Sequence, residues 1–183
     1  MPRRPILYAL AIAVVTTLAV VVLVQATRPS DGDATATGSG AGARAVVGQP
    51  VPALAGTTLD GQPFDLASLA GRPVLVNFWG PSCVPCRDEF PLMKAKLAEH
   101  GADGLTIVGV LTDDPVEPAR SFVAQYGATW PTVVDPDRAL KTDYRVAGRP
   151  QTYFVDRNGV LRSIQIGQMQ DADFERQYAQ IAK

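Results

Sequence analysis

The chain has 183 residues, with 17 Lys and Arg against 18 Asp and Glu and a formal net charge of −1. This balanced charge, without a basic run, argues against a nucleic-acid-binding protein. Two cysteines and one histidine are the only residues of their types, which is too few for a structural zinc site with four Cys or His ligands in one chain.

An uncharged apolar segment near the N-terminus predicts a membrane anchor. Ile6 to Val24 contains no charged residue, and as a helix it spans about 28 Å, enough to cross a bilayer. The two arginines before it place residues 1–5 in the cytoplasm and the rest of the chain outside. We therefore expect a single-pass anchor over residues 6–27 in the cytoplasmic membrane. A cleaved signal peptide is the alternative, since Val24-Gln25-Ala26 is compatible with a cleavage site.

The segment that follows differs in composition. Residues 28–47 are rich in Ala, Gly, Ser and Thr and poor in large apolar residues, which predicts a flexible linker. We expect residues 48–183 to form one globular domain of ordinary size.

The hydrophobic pattern of this domain predicts alternating strands and helices. A strand, a helix and a strand in succession over residues 74–111 imply a right-handed βαβ unit, and a hairpin near the C-terminus has its turn at Asn158-Gly159. We therefore expect an α/β fold with a mixed central sheet and helices on both faces. The expected elements are an N-terminal hairpin between Pro52 and Phe64, a helical turn at Leu66 to Leu69, strands at Val74 to Trp79, Leu105 to Leu111, Thr132 to Val134, Gln151 to Val155 and Val160 to Ile166, and helices at Val84 to His100, Pro118 to Tyr126, Arg138 to Tyr144 and Asp171 to Ala182.

The two cysteines stand at the junction between the first buried strand and the helix after it. Cys83 and Cys86 are separated by two residues, and such a pair at a strand-to-helix junction indicates a redox motif. The N–H groups and dipole of a helix N-terminus stabilise an anion, so a thiol there ionises easily and becomes the attacking thiolate. Arg87 in place of His after the second cysteine excludes covalent haem attachment. A purely structural disulfide stays open as an alternative.

Several motifs of the domain occur together: Phe78-Trp79-Gly80 before the cysteines, Arg87, Glu89 and Pro91 after them, then Gly109-Val110, and Gly148 to Thr152. In this combination the chain resembles the TlpA/ResA/CcmG (DsbE-like) family of membrane-anchored thioredoxins. The resemblance implies a thioredoxin fold in which Cys83 attacks, Cys86 resolves, and Pro150 is cis and lies against the disulfide. It also implies supporting roles for Trp79, Glu89, Pro91 and Arg149.

The residue that handles the proton of the second thiol is less directly indicated. Asn77 stands where many thioredoxins place a buried Asp, and an uncharged amide cannot act as a base. The resemblance implies an acidic residue after the Gly-Val strand instead, where Asp113 and Asp114 stand. Either is a candidate. The alternative for Asp114 is a helix N-cap before Pro115.

Three further residues are expected to shape the site. A guanidinium of Arg149 near Cys83 would stabilise the thiolate and make the protein more oxidising. Ser82 replaces the Trp common in the family before the first cysteine, which removes an aromatic surface for substrate docking. Pro91 lies inside the cysteine-bearing helix and is expected to kink it, with a helix break as the alternative.

The expected activity is thiol–disulfide exchange without a cofactor. The resemblance implies a reductant of apocytochrome c thiols that receives electrons from a membrane thiol donor. The alternatives are an oxidant or isomerase for exported proteins, a peroxiredoxin-like peroxidase, and a non-catalytic binding domain. The peroxidase pattern Pro-x-x-x-Thr/Ser-x-x-Cys is missing, since Val76 and Gly80 occupy its positions before Cys83.

Overall fold

The computed structural model describes residues 44–183. The expected cytoplasmic segment, the membrane anchor at residues 6–27 and most of the linker lie outside the described residues. Within residues 44–183, none of the helices has the length and apolar character that a bilayer crossing requires.

The described part of the chain alternates strands and helices in the predicted order. The strands are β1 (Ala55–Thr57), β2 (Pro63–Asp65), β3 (Val74–Trp79), β4 (Thr106–Leu111), β5 (Thr132–Val134), β6 (Gln151–Val155) and β7 (Leu161–Ile166), the helices are α1 (Val84–His100), α2 (Val116–Tyr126), α3 (Ala139–Asp143) and α4 (Asp171–Tyr178), and short 3-10 helices lie at Leu66–Leu69 and Gly101–Asp103.

Five strands form one mixed sheet in the order β5-β4-β3-β6-β7. The pairs β3–β4 and β4–β5 are parallel, whereas β6 runs antiparallel to β3 and β7 antiparallel to β6. β1 and β2 pair antiparallel in a separate two-stranded sheet. The mixed sheet, with parallel strands first and the antiparallel hairpin last, confirms the predicted thioredoxin-fold architecture.

The central strand β3 is buried on both faces, and its residues other than Asn77 are apolar. Val76 and Phe78 contribute to the core layer that includes Tyr144, next to α3. Leu75 and Trp79 point to the opposite layer, which α1, α2 and α4 cover. A strand buried on both sides reads as a continuous apolar run, and the C-terminal end of this run leads directly into the cysteine segment.

Three helices differ from the predicted bounds, and α1 is not interrupted as one alternative had it. α3 is one residue shorter at each end than the predicted helix at Arg138 to Tyr144. α2 begins at Val116, two residues before the predicted start, because Pro118 is tolerated in a first turn whose N–H groups have no partner inside the helix. α4 ends at Tyr178 rather than Ala182. Pro91 lies inside α1, which is continuous over Val84–His100. The alternative of a helix break at Pro91 is therefore wrong.

Candidate functional site

Cys83 and Cys86 form a disulfide at the N-terminus of α1, with their Cα atoms 5.3 Å apart. Cys83 is the N-cap residue: its backbone is extended, and its Sγ accepts a hydrogen bond from the backbone N–H of Cys86 at 3.3 Å. In the reduced protein the same N–H and the helix dipole favour negative charge on this sulfur. The predicted placement of Cys83 at the start of the helix is therefore confirmed.

The two cysteines differ in access from solvent. Cys86 is fully buried, whereas Cys83 keeps 8% of its surface exposed, and Val84 between them is 64% exposed. A protein substrate that approaches the exposed Val84 meets the sulfur of Cys83 first. This geometry favours Cys83 as the attacking thiol and Cys86 as the resolving thiol.

Trp79 packs behind the cysteines in the same core cluster. Its ring packs against both Phe90 and Phe122, with centroid distances of 4.7 and 5.0 Å, and it is fully buried. A side chain at Gly109 would place its Cβ 2.8 Å from the indole Nε1, so the glycine of the Gly-Val motif leaves room for the indole. Trp79 supports the site by packing rather than by contact with a substrate.

Pro150 lies beside the strand that carries the cysteine segment. The Arg149–Pro150 peptide bond is cis, which confirms the expected cis state. Phe78 near the end of β3 pairs with Gln151 at the start of β6, so Pro150 lies close to the C-terminal end of β3. The carbonyl of Pro150 accepts a hydrogen bond from the backbone N–H of Gly167 at 2.9 Å.

The guanidinium of Arg149 is paired with a carboxylate. Its Nη1 lies 2.6 Å from Oδ2 of Asp114 and donates to the carbonyl of Thr112 at 2.6 Å, while Nη2 reaches Oγ of Ser82 at 3.2 Å. The backbone N–H and the hydroxyl of Ser82 both donate to the same oxygen of Asp114, at 3.2 and 2.8 Å. Arg149 therefore pairs with a counter-charge beside Ser82, the residue that precedes Cys83.

Asp114 is not the helix cap that the alternative reading expected. α2 has Pro115 as its N-cap residue, without a side-chain cap, because the carboxylate of Asp114 turns to Ser82 and Arg149. Burial raises the pKa of the Asp114 carboxyl, but the hydrogen bonds from Ser82 and Arg149 outweigh burial and hold this pKa below the usual range. A carboxylate that stays ionised in this way is a poor proton acceptor for a thiol near neutral pH.

Asp113 faces other partners. Its carboxylate lies 2.8 Å from Nε of Arg138 and also pairs with Nζ of Lys141. The hydrogen bond from Lys141 is the main reason that the pKa of Asp113 is lowered. The surroundings of both aspartates therefore favour their ionised forms. A role of either one in proton transfer stays a prediction.

Glu89 is the buried acid of the site. It lies three residues after Cys86, hence on the same face of α1, and only 1% of its surface is exposed. Burial raises its pKa to about 7, with the hydrogen bonds of the Met169 backbone and the Asn77 side chain opposing the shift. A carboxyl with this pKa exchanges protons near neutral pH, as a general base for a buried thiol must.

The family motif indicates Glu89 as a supporting residue, without a role in proton transfer. A local signal for it exists. Cys86, Phe90 and Met93 define the buried face of α1, and Glu89 falls on the same face by helical spacing. A carboxylate on an apolar helix face is a signal of a perturbed group.

A second cluster of ionisable groups lies at the far end of α1. Glu99, His100 and Glu175 have side-chain atoms close enough together to hold a metal ion. The ammonium of Lys96 lies among these carboxylates, 3.1 Å from Glu99 and 2.8 Å from Asp171, and it also pairs with Glu175. Lys96 therefore already pairs with the carboxylates of this cluster, and these ion pairs attach α4 to α1.

The comparisons with known proteins agree with this geometry. A family model described as the AhpC/TSA family matches residues 47–164. Thioredoxin-like protein YneN of Bacillus subtilis is 35% identical over 132 residues, covering 70% of this chain and 76% of its own length. Thiol-disulfide oxidoreductase ResA of Geobacillus kaustophilus is 32% identical, covering 71% of this chain and 75% of its own length.

A solved structure is similar over the same region. It is a secreted Mycobacterium tuberculosis disulfide oxidoreductase homologous to E. coli DsbE, with a TM-score of 0.63 and 29% identity, covering 69% of this chain and 95% of that protein. The matched family region includes both cysteines and Pro150. The chain therefore belongs to the AhpC/TSA family of thioredoxin-like proteins and is a thiol–disulfide oxidoreductase of the ResA and DsbE type.

Proposed function

We propose that the protein is a membrane-anchored reductant that acts outside the cytoplasm on disulfides of other proteins. The observation that carries its redox role is the Cys83–Cys86 disulfide at the N-terminus of α1, in which Cys83 keeps 8% of its surface exposed and Cys86 is fully buried. The location rests on the uncharged segment expected at residues 6–27. The M. tuberculosis neighbour, which is described as secreted, agrees with a location outside the cytoplasm.

The reaction starts from the reduced protein. The thiolate of Cys83 attacks one sulfur of a substrate disulfide, a bond forms between these two sulfurs, and the second substrate sulfur leaves as a thiolate. The thiolate of Cys86 then attacks Sγ of Cys83, and the first substrate sulfur leaves. Two electrons pass to the substrate, which becomes a dithiol, and the protein ends with its disulfide.

Glu89 supplies the proton acceptor for the second step. Cys86 is fully buried, and burial in apolar surroundings keeps a thiol protonated. The carboxylate of Glu89, one turn further along the helix, takes this proton as Cys86 attacks. Its pKa of about 7 allows it to be ionised before the step and protonated after it. The released substrate thiolates take their protons from solvent.

The substrate we propose is apocytochrome c. Covalent haem attachment uses a Cys-x-x-Cys-His motif, and both of its thiols must be reduced before they can react. The relatives named ResA and the neighbour homologous to DsbE support a role in thiol–disulfide chemistry of this type. A thiol protein in the membrane is the proposed source of electrons that returns Cys83 and Cys86 to the reduced state.

A defined peptide tests this direction of electron flow. The reduced full-length protein is mixed with an oxidised peptide that contains Cys-x-x-Cys-His, and the thiols of both are alkylated and counted by mass spectrometry over time. We expect the peptide to become a dithiol while the Cys83–Cys86 disulfide accumulates. An equilibrium in which the peptide stays oxidised and the protein stays reduced contradicts the proposal and identifies an oxidant. A matched peptide with Ala for His shows whether the haem motif itself is recognised.

A further inference from the structure

The Asp114–Arg149 pair holds two opposite charges beside the residue that precedes the attacking cysteine. Only 9% of the Asp114 side chain and 16% of the Arg149 side chain are exposed, so solvent screens these charges weakly. Both charged groups contact Ser82, which is bonded directly to Cys83. Both charges therefore lie at the residue that immediately precedes the attacking cysteine.

The backbone of the cysteine segment is built around this pair. A Cβ at Gly80 would lie 2.0 Å from Nη1 of Arg149 and 2.1 Å from Oδ2 of Asp114. Only glycine allows both charged groups to lie so close to the main chain at this position. The pair thus connects three loops that are distant in the sequence: the cysteine segment, the loop after β4, and the loop before β6.

We propose that Asp114 is the counter-charge of Arg149 and a positioning residue that limits the stabilisation of the Cys83 thiolate by this guanidinium. The inference rests on the proposed function and concerns the tuning of the same site. A guanidinium near a thiolate stabilises it and makes a dithiol protein more oxidising. A carboxylate at hydrogen-bond distance from the guanidinium cancels most of that effect and keeps the protein on the reducing side.

The two members of the pair have opposite effects on Cys83. Asp114→Asn leaves Arg149 without its counter-charge, so the Cys83 thiolate is stabilised and the thiol reacts faster with iodoacetamide below neutral pH, by about tenfold. Arg149→Gln leaves the carboxylate unpaired and slows the same reaction by a similar factor. Each tenfold change in the equilibrium with glutathione corresponds to about 30 mV.

The experiment measures the rate of Cys83 alkylation against pH in the reduced full-length protein, together with its glutathione equilibrium. We expect opposite shifts for the two single variants and values near those of the unchanged protein for the double variant. Asp113→Asn is the matched control. It also removes one carboxylate charge, but Asp113 is the residue before Asp114 and pairs with Arg138 and Lys141. Its shift is expected to be smaller than that of Asp114→Asn.

Arg149→Lys keeps the experiment decisive where Asp114→Asn does not fold. Lysine preserves the charge pair, so its alkylation profile is expected to stay within about threefold of the unchanged protein while Arg149→Gln slows it. Shifts of the same sign in both single variants, or no shift beyond that of Asp113→Asn, overturn the inference. Alkylation requires no protein substrate, so its result stands apart from the failure or success of peptide reduction.

Discussion

The side-chain amide of Asn77 donates to Oε2 of Glu89 across 3.4 Å and to Oγ1 of Thr152 at 2.8 Å. All three side chains are buried. Within residues 44–183, Oδ1 of Asn77 and Oε1 of Glu89 have no hydrogen-bond partner. Because Asn77 offers one weak hydrogen bond and no charge, it leaves Glu89 free to gain and lose a proton behind Cys86.

The raised pKa of Glu89 predicts that this residue makes the free energy of unfolding depend on pH. The Glu89→Gln substitution is expected to remove this contribution. The folded protein releases this proton near pH 7 and the unfolded chain near 4.5. Between these values the unfolded state binds fewer protons, so the free energy of unfolding falls as pH rises, by about 3 kcal/mol in total. Above pH 7 the loss is complete. The Gln side chain carries no proton equilibrium, so urea unfolding of the variant lacks this slope.

The measurement is a pair of urea titrations of the oxidised protein, at about pH 5 and about pH 8. The stability of Glu89→Gln relative to the unchanged protein is expected to rise by up to about 3 kcal/mol between them. Glu99→Gln is the control, because Glu99 lies on the same helix with an exposed side chain. Parallel pH dependence of Glu89→Gln and the unchanged protein contradicts a raised pKa at Glu89.

The Glu89→Gln substitution is also expected to slow the second step of exchange, in which Cys86 attacks the mixed disulfide. The amide cannot take the proton of Cys86, so release of the substrate from the mixed disulfide slows by about 10²–10⁴-fold, the usual effect of losing a general base. Formation of the mixed disulfide by Cys83 is expected to change much less. Rapid acid quenching followed by mass spectrometry separates the two steps. Equal slowing of both steps indicates a structural role for Glu89 instead.

Gly80 lies against the Asp114–Arg149 pair, so adding one methyl group at this position is expected to lower the stability of the protein. Gly80→Ala places a Cβ against both charged groups and is expected to destabilise the protein by about 1–3 kcal/mol, as overpacking does. Gly148→Ala is the matched control in the loop before β6, since its Cβ has no neighbour within 4 Å, and its effect is expected to stay within about 0.5 kcal/mol. Thermal unfolding compares them, and equal effects refute the assigned contact.

The ion pairs of Asp113 predict an acid-sensitive contribution to stability. Asp113 has a φ of 63°, a region that Asn tolerates, so Asp113→Asn removes the charge without straining the backbone. We expect a loss of about 1 kcal/mol at neutral pH. Because the folded pKa is lowered from 3.8, this contribution is present above 3.8 and disappears as pH falls below it. A loss that is the same at pH 2 and pH 7 shows that the ion pairs are not its source.

The strands and helices were largely predictable because their signals are local. β5 and β6 have the predicted bounds, and the apolar run before the cysteines is β3 with the predicted bounds. Period-two and helical spacing of apolar residues determine these elements within short windows. The cis state of Pro150 came from the family resemblance, since an X-Pro bond in a sequence carries only a small cis base rate of about 5–6%.

The partners of the charged residues were not predictable in the same way. Ser82, Asp114 and Arg149 are distant in the sequence, and only the paired strands β3, β4 and β6 bring their loops together. The sequence therefore suggested a guanidinium of Arg149 near Cys83 and a proton acceptor at Asp113 or Asp114, but not the ion pair between Arg149 and Asp114. Counter-charges and burial, which decide the pKa of a carboxyl, are properties of tertiary packing.

The division of labour between Cys83 and Cys86 is tested most directly by trapping the mixed disulfide. Reduced Cys86→Ser and Cys83→Ser variants are incubated with an oxidised protein substrate, quenched with acid and separated without reductant. Because Cys83 keeps 8% of its surface exposed and Cys86 is fully buried, Cys86→Ser is expected to accumulate a stable substrate adduct through Cys83, and Cys83→Ser to form none. Adducts of equal yield in both variants, or an adduct through Cys86 alone, contradict the proposed mechanism.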